Sequence, residues 1–247
     1  RDHDLEDIVS VFKAAREVEF ESINIDLMFG LPNQSRVMAK NDIKKIFDLS
    51  PEHISYYQLT IEPNIKFFYD KPRGLPSDDE QNHIQEDCMR LLKKAGYIRY
   101  EITAFSKKDF ECKHNLNYFR FGDYIAVGAG AHGKYRSTND DMIRYQKPSD
   151  PNIYMKNIIS NKLSHEEKLL SSSDKIFEFM LNNLRLMSGF SIAHFESATG
   201  LKYDSIEKKL SELNNLNLMK YYPSGYWKPT ALGFKFLDNL QCEFLKV

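Results

Sequence analysis

Tryptophan occurs once in these 247 residues and cysteine three times. Cys88, Cys112 and Cys242 lie far apart, are odd in number and form no CxxC pair, which argues against a disulfide framework or a zinc knuckle and for a reducing cytoplasm. A long apolar run of membrane-spanning length is missing, as is the short apolar core of a signal peptide. So is an excess of either charge: 34 Lys and Arg face 35 Asp and Glu, a formal net charge of -1. Composition therefore gives no electrostatic reason to expect nucleic acid or an acidic membrane surface as main partner, and it leaves small-molecule chemistry open. The length suits one large domain, or a medium one with an appendage.

What the sequence does contain is organised around Ser22 to Pro32. Ile23, Ile25, Leu27 and Phe29 alternate with Asn24, Asp26 and Met28, the two-residue period of a strand with two different faces, and Gly30 and Pro32 end it. Amphipathic helices on either side make this a parallel strand of a repeated strand-helix unit. The apolar face meets the helices, so Asn24 and Asp26 look elsewhere. In a closed or half-closed barrel that is the interior, where such folds build their sites. The competing reading of Asp26 is a capping or turn-forming residue beside Gly-Leu-Pro.

Leu5, Ile8, Val9, Phe12 and Ala15 recur at helical spacing before the strand. After it, Met38, Ile43, Ile46 and Phe47 continue an apolar face until Ser50-Pro51. A second strand is expected over His53 to Ile61, rich in β-formers. Ser77 and Glu80 form a capping-box pattern that opens a helix running to Ala95, with Gly96 beyond its end. Cys88 falls on the buried face of that helix and reads as a core residue. Tyr97 to Phe105 reads as one strand carrying Glu101, and Tyr124 to Val127 as a short strand entering the Gly128 to Gly133 run. That run has neither the GxGxxG nor the GxxxxGK[ST] spacing, so its glycines serve close backbone approach and not a phosphate loop.

Ser137 to Asp150 turns polar and reads as a linker or surface excursion, which divides the chain into residues 1–150 and 151–247. The second segment holds a helix around Phe177 to Leu184, another from Ser191 towards Gly200, a third over Tyr203 to Leu216, a hairpin turning at Pro223 to Gly225, and a last helix from Thr230. Helices plus a hairpin wing are the layout of a winged-helix module. Its candidate recognition helix sets Lys202, Lys208 and Lys209 against Asp204, Glu207 and Glu212, which is no basic face, so nucleic acid is not the expected partner.

Several motifs together resemble the HemN/HemW branch of the radical S-adenosylmethionine (SAM) proteins, on its heme-chaperone side. They are Arg1-Asp-His3, Asn24 to Pro32, Glu52 to Pro63, Tyr100-Glu101, His114 to Tyr118 and Val127 to Gly133, in the family's order across essentially the whole chain. The resemblance implies an α/β fold: the C-terminal part of a partial (β/α)6 radical SAM barrel, then a small winged-helix-like α+β domain. It also implies a 4Fe-4S cluster, SAM and heme as cofactors. The family's CxxxCxxC cluster motif and its glycine-rich SAM segment are absent here. Together with a first residue that is not Met, this suggests a piece of a longer protein, whose uncovered strand edge would make it self-associate.

By resemblance, Arg1, Asp26, Thr60 and His132 match SAM-contacting positions, with charges suited to a zwitterionic ligand. His114-Asn-Leu-Asn-Tyr118-Phe119 is similar to an HNxxYW motif, with Phe119 in place of Trp. His114 is the implied heme-iron ligand, and Tyr118 and Phe119 are the implied packing partners of the porphyrin. Against this stands a loop histidine bonded to backbone. Cys112, His53 and His132 are further candidates for iron, and His83 reads as surface. The function implied is cytoplasmic heme binding and transfer to an acceptor protein, with a membrane-associated acceptor or a homo-oligomer compatible with it. The alternatives are an oxygen-independent coproporphyrinogen III oxidase and a non-catalytic winged-helix interaction module.

Overall fold

A helix over Leu5–Glu17 (α1) leads into a strand, Asn24–Phe29 (β1), in a computed structural model that describes residues 5–63, 65–162 and 166–245. Ser35 then caps the helix Arg36–Leu49 (α2), its hydroxyl accepting from the Met38 amide, and Ser50 ends it in a left-handed conformation. The strand His53–Gln58 (β2) pairs parallel to β1, with Asn24 opposite His53 and Asp26 opposite Ser55. A single turn, Lys66–Tyr69 (α3), precedes the helix Asp78–Lys94 (α4), whose capping box joins Ser77 and Glu80 as the sequence leads one to expect. Two short strands, Ile98–Arg99 (β3) and Ala104–Ser106 (β4), complete a sheet of order β1-β2-β4-β3.

These elements form the compact unit Arg1–Cys112. Phe29, Ile54, Tyr56 and Phe105 of the sheet pack against Ala39, Ile43 and Ile46 of α2 and Ile84, Cys88 and Leu92 of α4. The Phe29 and Tyr56 rings stack at 4.6 Å. Full burial of a side chain such as Ile43 or Leu92 contributes roughly 1.5–3 kcal/mol, so this one face dominates the stability of the unit. The two helices are also joined by charge. Asp87 of α4 takes ion pairs from Arg36 and Lys40 of α2 as well as from Arg90, and these hold its carboxyl below the usual range.

Two expectations change here. Tyr97 to Phe105 is not one strand but a tight antiparallel hairpin, because the Glu101 carboxylate accepts from the Thr103 amide at 2.9 Å and from its hydroxyl, closing the turn. β2 stops at Gln58. As a partial barrel implies, the sheet does not close among the described residues: β4 turns antiparallel to β2 and leaves the polar face of β1 open.

The unit Lys113–Val247 begins with a short helix, Lys113–Phe119 (α5), where the sequence suggested only a polar segment. Three antiparallel strands come next in the order β5-β6-β7: His132–Arg136 (β5), Met142–Gln146 (β6) and, after the helix Pro151–Ile159 (α6), Glu166–Leu169 (β7). The polar stretch expected as a linker thus supplies a paired strand. Ser137 makes that possible by accepting from the Asn139 and Asp141 amides to fold the turn. Tyr124 to Val127 forms only one bridge, Tyr124 to Lys134. Gly133 allows close approach within the sheet, because a Cβ there would lie 2.2 Å from the Tyr145 ring.

The rest is the expected winged-helix arrangement: helix Ser172–Asn183 (α7), strand Phe190–Ser191 (β8), helices Ile192–Thr199 (α8) and Asp204–Asn215 (α9), and a hairpin of Met219–Tyr222 (β9) and Tyr226–Pro229 (β10). β10 lies between β8 and β9. Helices Ala231–Lys235 (α10) and Leu237–Cys242 (α11) close the chain. Phe179 is the hub, fully buried, with Phe121, Phe190, Phe195 and His194 edge-on around it at 5.2 to 5.9 Å. Arg144 of β6 pairs with Glu178 at 2.8 Å and Arg136 of β5 donates to the Ala198 carbonyl at 2.7 Å. These bonds tie the β5-β6-β7 sheet to the winged helix, which is why residues 132–146 share a unit with α7 and α8.

Candidate functional site

Asn24 and Asp26 of β1 and His53 and Ser55 of β2 project from the sheet face opposite the helices, and the register sets them side by side. Asn24 Nδ2 donates to Asp26 Oδ1 at 2.7 Å, since an ionised carboxylate can only accept. That fixes the amide. Its Oδ1 must then accept, and it receives the Ser55 hydroxyl at 3.1 Å and His53 Nδ1 at 2.6 Å. His53 therefore carries its proton on Nδ1, and its Nε2 accepts from the Tyr100 hydroxyl at 2.7 Å. Burial holds the imidazole below its ordinary pKa, although Glu101, Asp26 and Glu111 pull the other way, so it is neutral at pH 7. The result is a directional chain from Tyr100 through His53 and Asn24 to Asp26.

Asp26 itself is exposed, on the sheet face away from the helices, which is open among the described residues. Its Oδ1 is held by Asn24. Thr60 lies just beyond the end of β2, exposed, with its hydroxyl donating to the Gln58 carbonyl at 3.4 Å. Arg1 lies outside the described residues. His53 has both ring nitrogens engaged and is only 4% exposed, which removes it from the candidates for iron. His83 is exposed on α4, as expected.

In the second unit His132 opens β5 opposite Gln146 and is exposed. His114 and Tyr118 are one helical turn apart on α5, hence on one face, and both are exposed. Tyr118 leans on the Tyr124 ring at 5.1 Å and on Phe119 at 5.9 Å. Phe119 is half-buried under the Arg185 guanidinium, 5.1 Å above its ring. Asn117 has a structural task instead, its amide donating to the Asp123 carbonyl at 2.9 Å to close the turn after the helix. Tyr124 anchors the patch from below. Its hydroxyl takes a hydrogen bond from Arg144, and burial pushes its pKa up to about 12.

The relay was not legible residue by residue. Asn24 and His53 were each visible as polar strand positions, but their pairing depends on strand register, and Tyr100 reaches His53 only because residues 98–106 fold back as a hairpin. Glu178, which pairs with Arg144, carries no motif at all.

No protein-family model matches the chain. Among curated proteins it is 39% identical over 245 residues to the heme chaperone HemW of Haemophilus influenzae, covering 99% of this chain and 62% of that protein. It is 39% identical over 233 residues to HemW of Escherichia coli, with 94% and 60% covered. The chain belongs to the HemN/HemW family. More distantly it is 26% identical over 203 residues to the mitochondrial radical S-adenosyl methionine domain-containing protein 1 of Danio rerio, covering 79% of this chain and 46% of that one. Its fold matches that of the coproporphyrinogen III oxidase HemN from Escherichia coli, described as a radical SAM enzyme, with TM-score 0.75 at 20% identity over 99% of this chain and 59% of that one. The chain spans about three-fifths of the length of the HemW proteins it matches.

The thiols present do not fit the family's cluster. Cys88 is fully buried between α2 and α4, where desolvation raises its pKa, Cys112 is half-buried in the first unit, and Cys242 is exposed on α11 in the second. Among the described residues no three His, Cys, Asp or Glu side chains gather as a metal site, and no helix is long and apolar enough to cross a membrane.

Proposed function

We propose that this chain is the heme-binding portion of a HemW-type heme chaperone, with His114 as iron ligand and Tyr118 and Phe119 as the aromatic surface beneath the porphyrin. The observation that carries this is helix α5: it sets an exposed imidazole and an exposed phenol on one face, with a cation-capped aromatic ring beside them. A neutral imidazole is a good axial ligand for heme iron, and flat rings pack against porphyrin. Phe119 keeps the flat surface that the family's Trp offers but lacks an indole N–H, so this position supplies packing without a hydrogen bond. The names of the relatives at 39% identity support the same reading. In the intact protein the heme passes on to an acceptor protein.

In the first unit, Asp26 and Thr60 are the proposed SAM contacts, and Arg1 and His132 keep the same role from the resemblance. With Oδ1 of Asp26 held by Asn24, Oδ2 is left to receive a donor such as the ligand's ammonium group. When bound with a 4Fe-4S cluster, SAM supplies radical chemistry in this family. The described cysteines do not fit that cluster, and no reaction step is assigned to this chain.

Hemin titration followed by absorbance tests the reading. His114→Ala is expected to weaken hemin binding by about tenfold, the loss of one coordinating group, and Tyr118→Ala by less. Equal hemin affinity in the parent chain and in both variants would overturn it. Decarboxylation of coproporphyrinogen by the intact protein would replace the chaperone reading with the oxidase.

A further inference from the structure

A cavity of about 470 Å³ lies within the winged-helix unit, between the residue just after α5, the turn entering β8, the start of α8 and the tip of the wing. Its size falls in the range of small-molecule sites. Its charge is one-sided: Arg120 and Lys228 line it together with His194, serines and Tyr226, and no carboxylate does. Several cations elsewhere in this unit are matched. Arg144 has Glu178, Arg136 has Asp140, Lys168 has Asp174, and Lys209 has Glu212 and Glu243. Among the described residues neither Arg120 nor Lys228 makes an ion pair.

The cavity is also built, not left over. His194 Nε2 lies 3.0 Å from the Arg120 carbonyl and so donates to it, tying the segment after α5 to α8. The Ser191 hydroxyl accepts the His194 amide at 3.1 Å and fixes the start of that helix. Gly189, at φ +68°, forms part of the wall. A Cβ there would come within 2.1 Å of the Trp227 carbonyl and 2.6 Å of Lys228 Cγ, so the lysine stem lies where only glycine leaves room. Lys228 Nζ is held 5.4 Å over the Tyr222 ring.

We infer that this cavity binds an organic oxyanion, with Arg120 and Lys228 receiving a carboxylate or phosphate and Tyr226 offering a flat surface to the body of the ligand. Guanidinium and ammonium groups that lack acidic partners are the recognition elements for such anions. The inference deepens the heme reading if the anion is a porphyrin propionate, and stands apart from it if the anion is a phosphate.

The test uses the full chain and the double variant Arg120→Gln/Lys228→Gln, with thermal unfolding as a check that both fold. Protoporphyrin IX, its dimethyl ester and inorganic pyrophosphate are titrated into each. If the source is a carboxylate, the double variant loses about tenfold or more in affinity for the free acid while the uncharged ester binds both proteins alike. If it is a phosphate, pyrophosphate binds the parent chain and is lost in the variant, whatever the porphyrins do. Should hemin as well as both porphyrins fail to bind the parent chain, the heme reading fails while the pyrophosphate arm still decides the cavity. Equal affinity of both proteins for both anions overturns the inference. Duplex DNA that binds the parent chain and is released by the double variant overturns it too, in favour of a nucleic-acid contact.

Discussion

The sheet face of the first unit and the aromatic patch of the second hold their functional groups in opposite ways. Asp26 stands at the end of a hydrogen-bonded chain whose middle member, His53, is buried and committed at both nitrogens. His114 stands exposed on a two-turn helix. The contrast separates preorganisation from access. A carboxylate meant to meet a small charged ligand gains from being oriented beforehand, whereas a metal ligand for a large flat molecule gains from an open approach.

Breaking the relay at its centre has the largest expected effect on stability. His53→Ala takes one of two donors from the Asn24 carbonyl oxygen and the imidazole acceptor from the Tyr100 hydroxyl, opens a cavity, and should cost about 2–3 kcal/mol in urea unfolding. A cost like that of a surface change would mean the chain of bonds is not formed. Tyr100→Phe removes only the terminal donor, so about 1 kcal/mol is expected. The same variant is expected to keep the imidazole proton on Nδ1, where the Asn24 oxygen still accepts it, visible in nitrogen NMR of labelled histidine. A parent protein already protonated on Nε2 at pH 7 would contradict the direction assigned to the relay.

Acid sharpens the comparison further. Burial depresses the folded-state pKa of His53, so below about 6.5 the unfolded chain takes up a proton that the folded chain refuses. Stability therefore falls as pH drops through that value toward the folded pKa and is level above it. His194, also depressed chiefly by burial, adds a fall of the same sign. His53→Gln should remove its own share and leave that of His194. The smallest expected effect is the stability of His114→Ala itself, within about 0.5 kcal/mol of the parent chain, as befits an exposed position. A larger loss would mean that the histidine supports α5.

Much of this molecule could be read from residues because local chemistry decides it. Ser77 and Glu80 cap α4, the alternation at 24–29 becomes β1, and the turn at Pro223 to Gly225 becomes the wing. Misreadings came where a specific contact overrides what composition suggests. Tyr97 to Phe105 has the composition of one strand, yet a single carboxylate at Glu101 bends it into two. Ser137 to Asp150 is as polar as a linker, but its strand is stabilised by pairing on both sides and by the Arg144 to Glu178 ion pair. At the site, the motif residues were visible singly. That His53 serves Asn24 and not iron depends on register and burial, which no single residue announces.

The rings around Phe179 carry one more consequence. Phe121, two residues past α5, is one of them, so the strand of backbone leaving the aromatic helix is riveted into the interior of the winged helix. A porphyrin caught on that helix would share the tumbling of the whole second unit, and its fluorescence anisotropy would decay with a unit's rotation and not a side chain's.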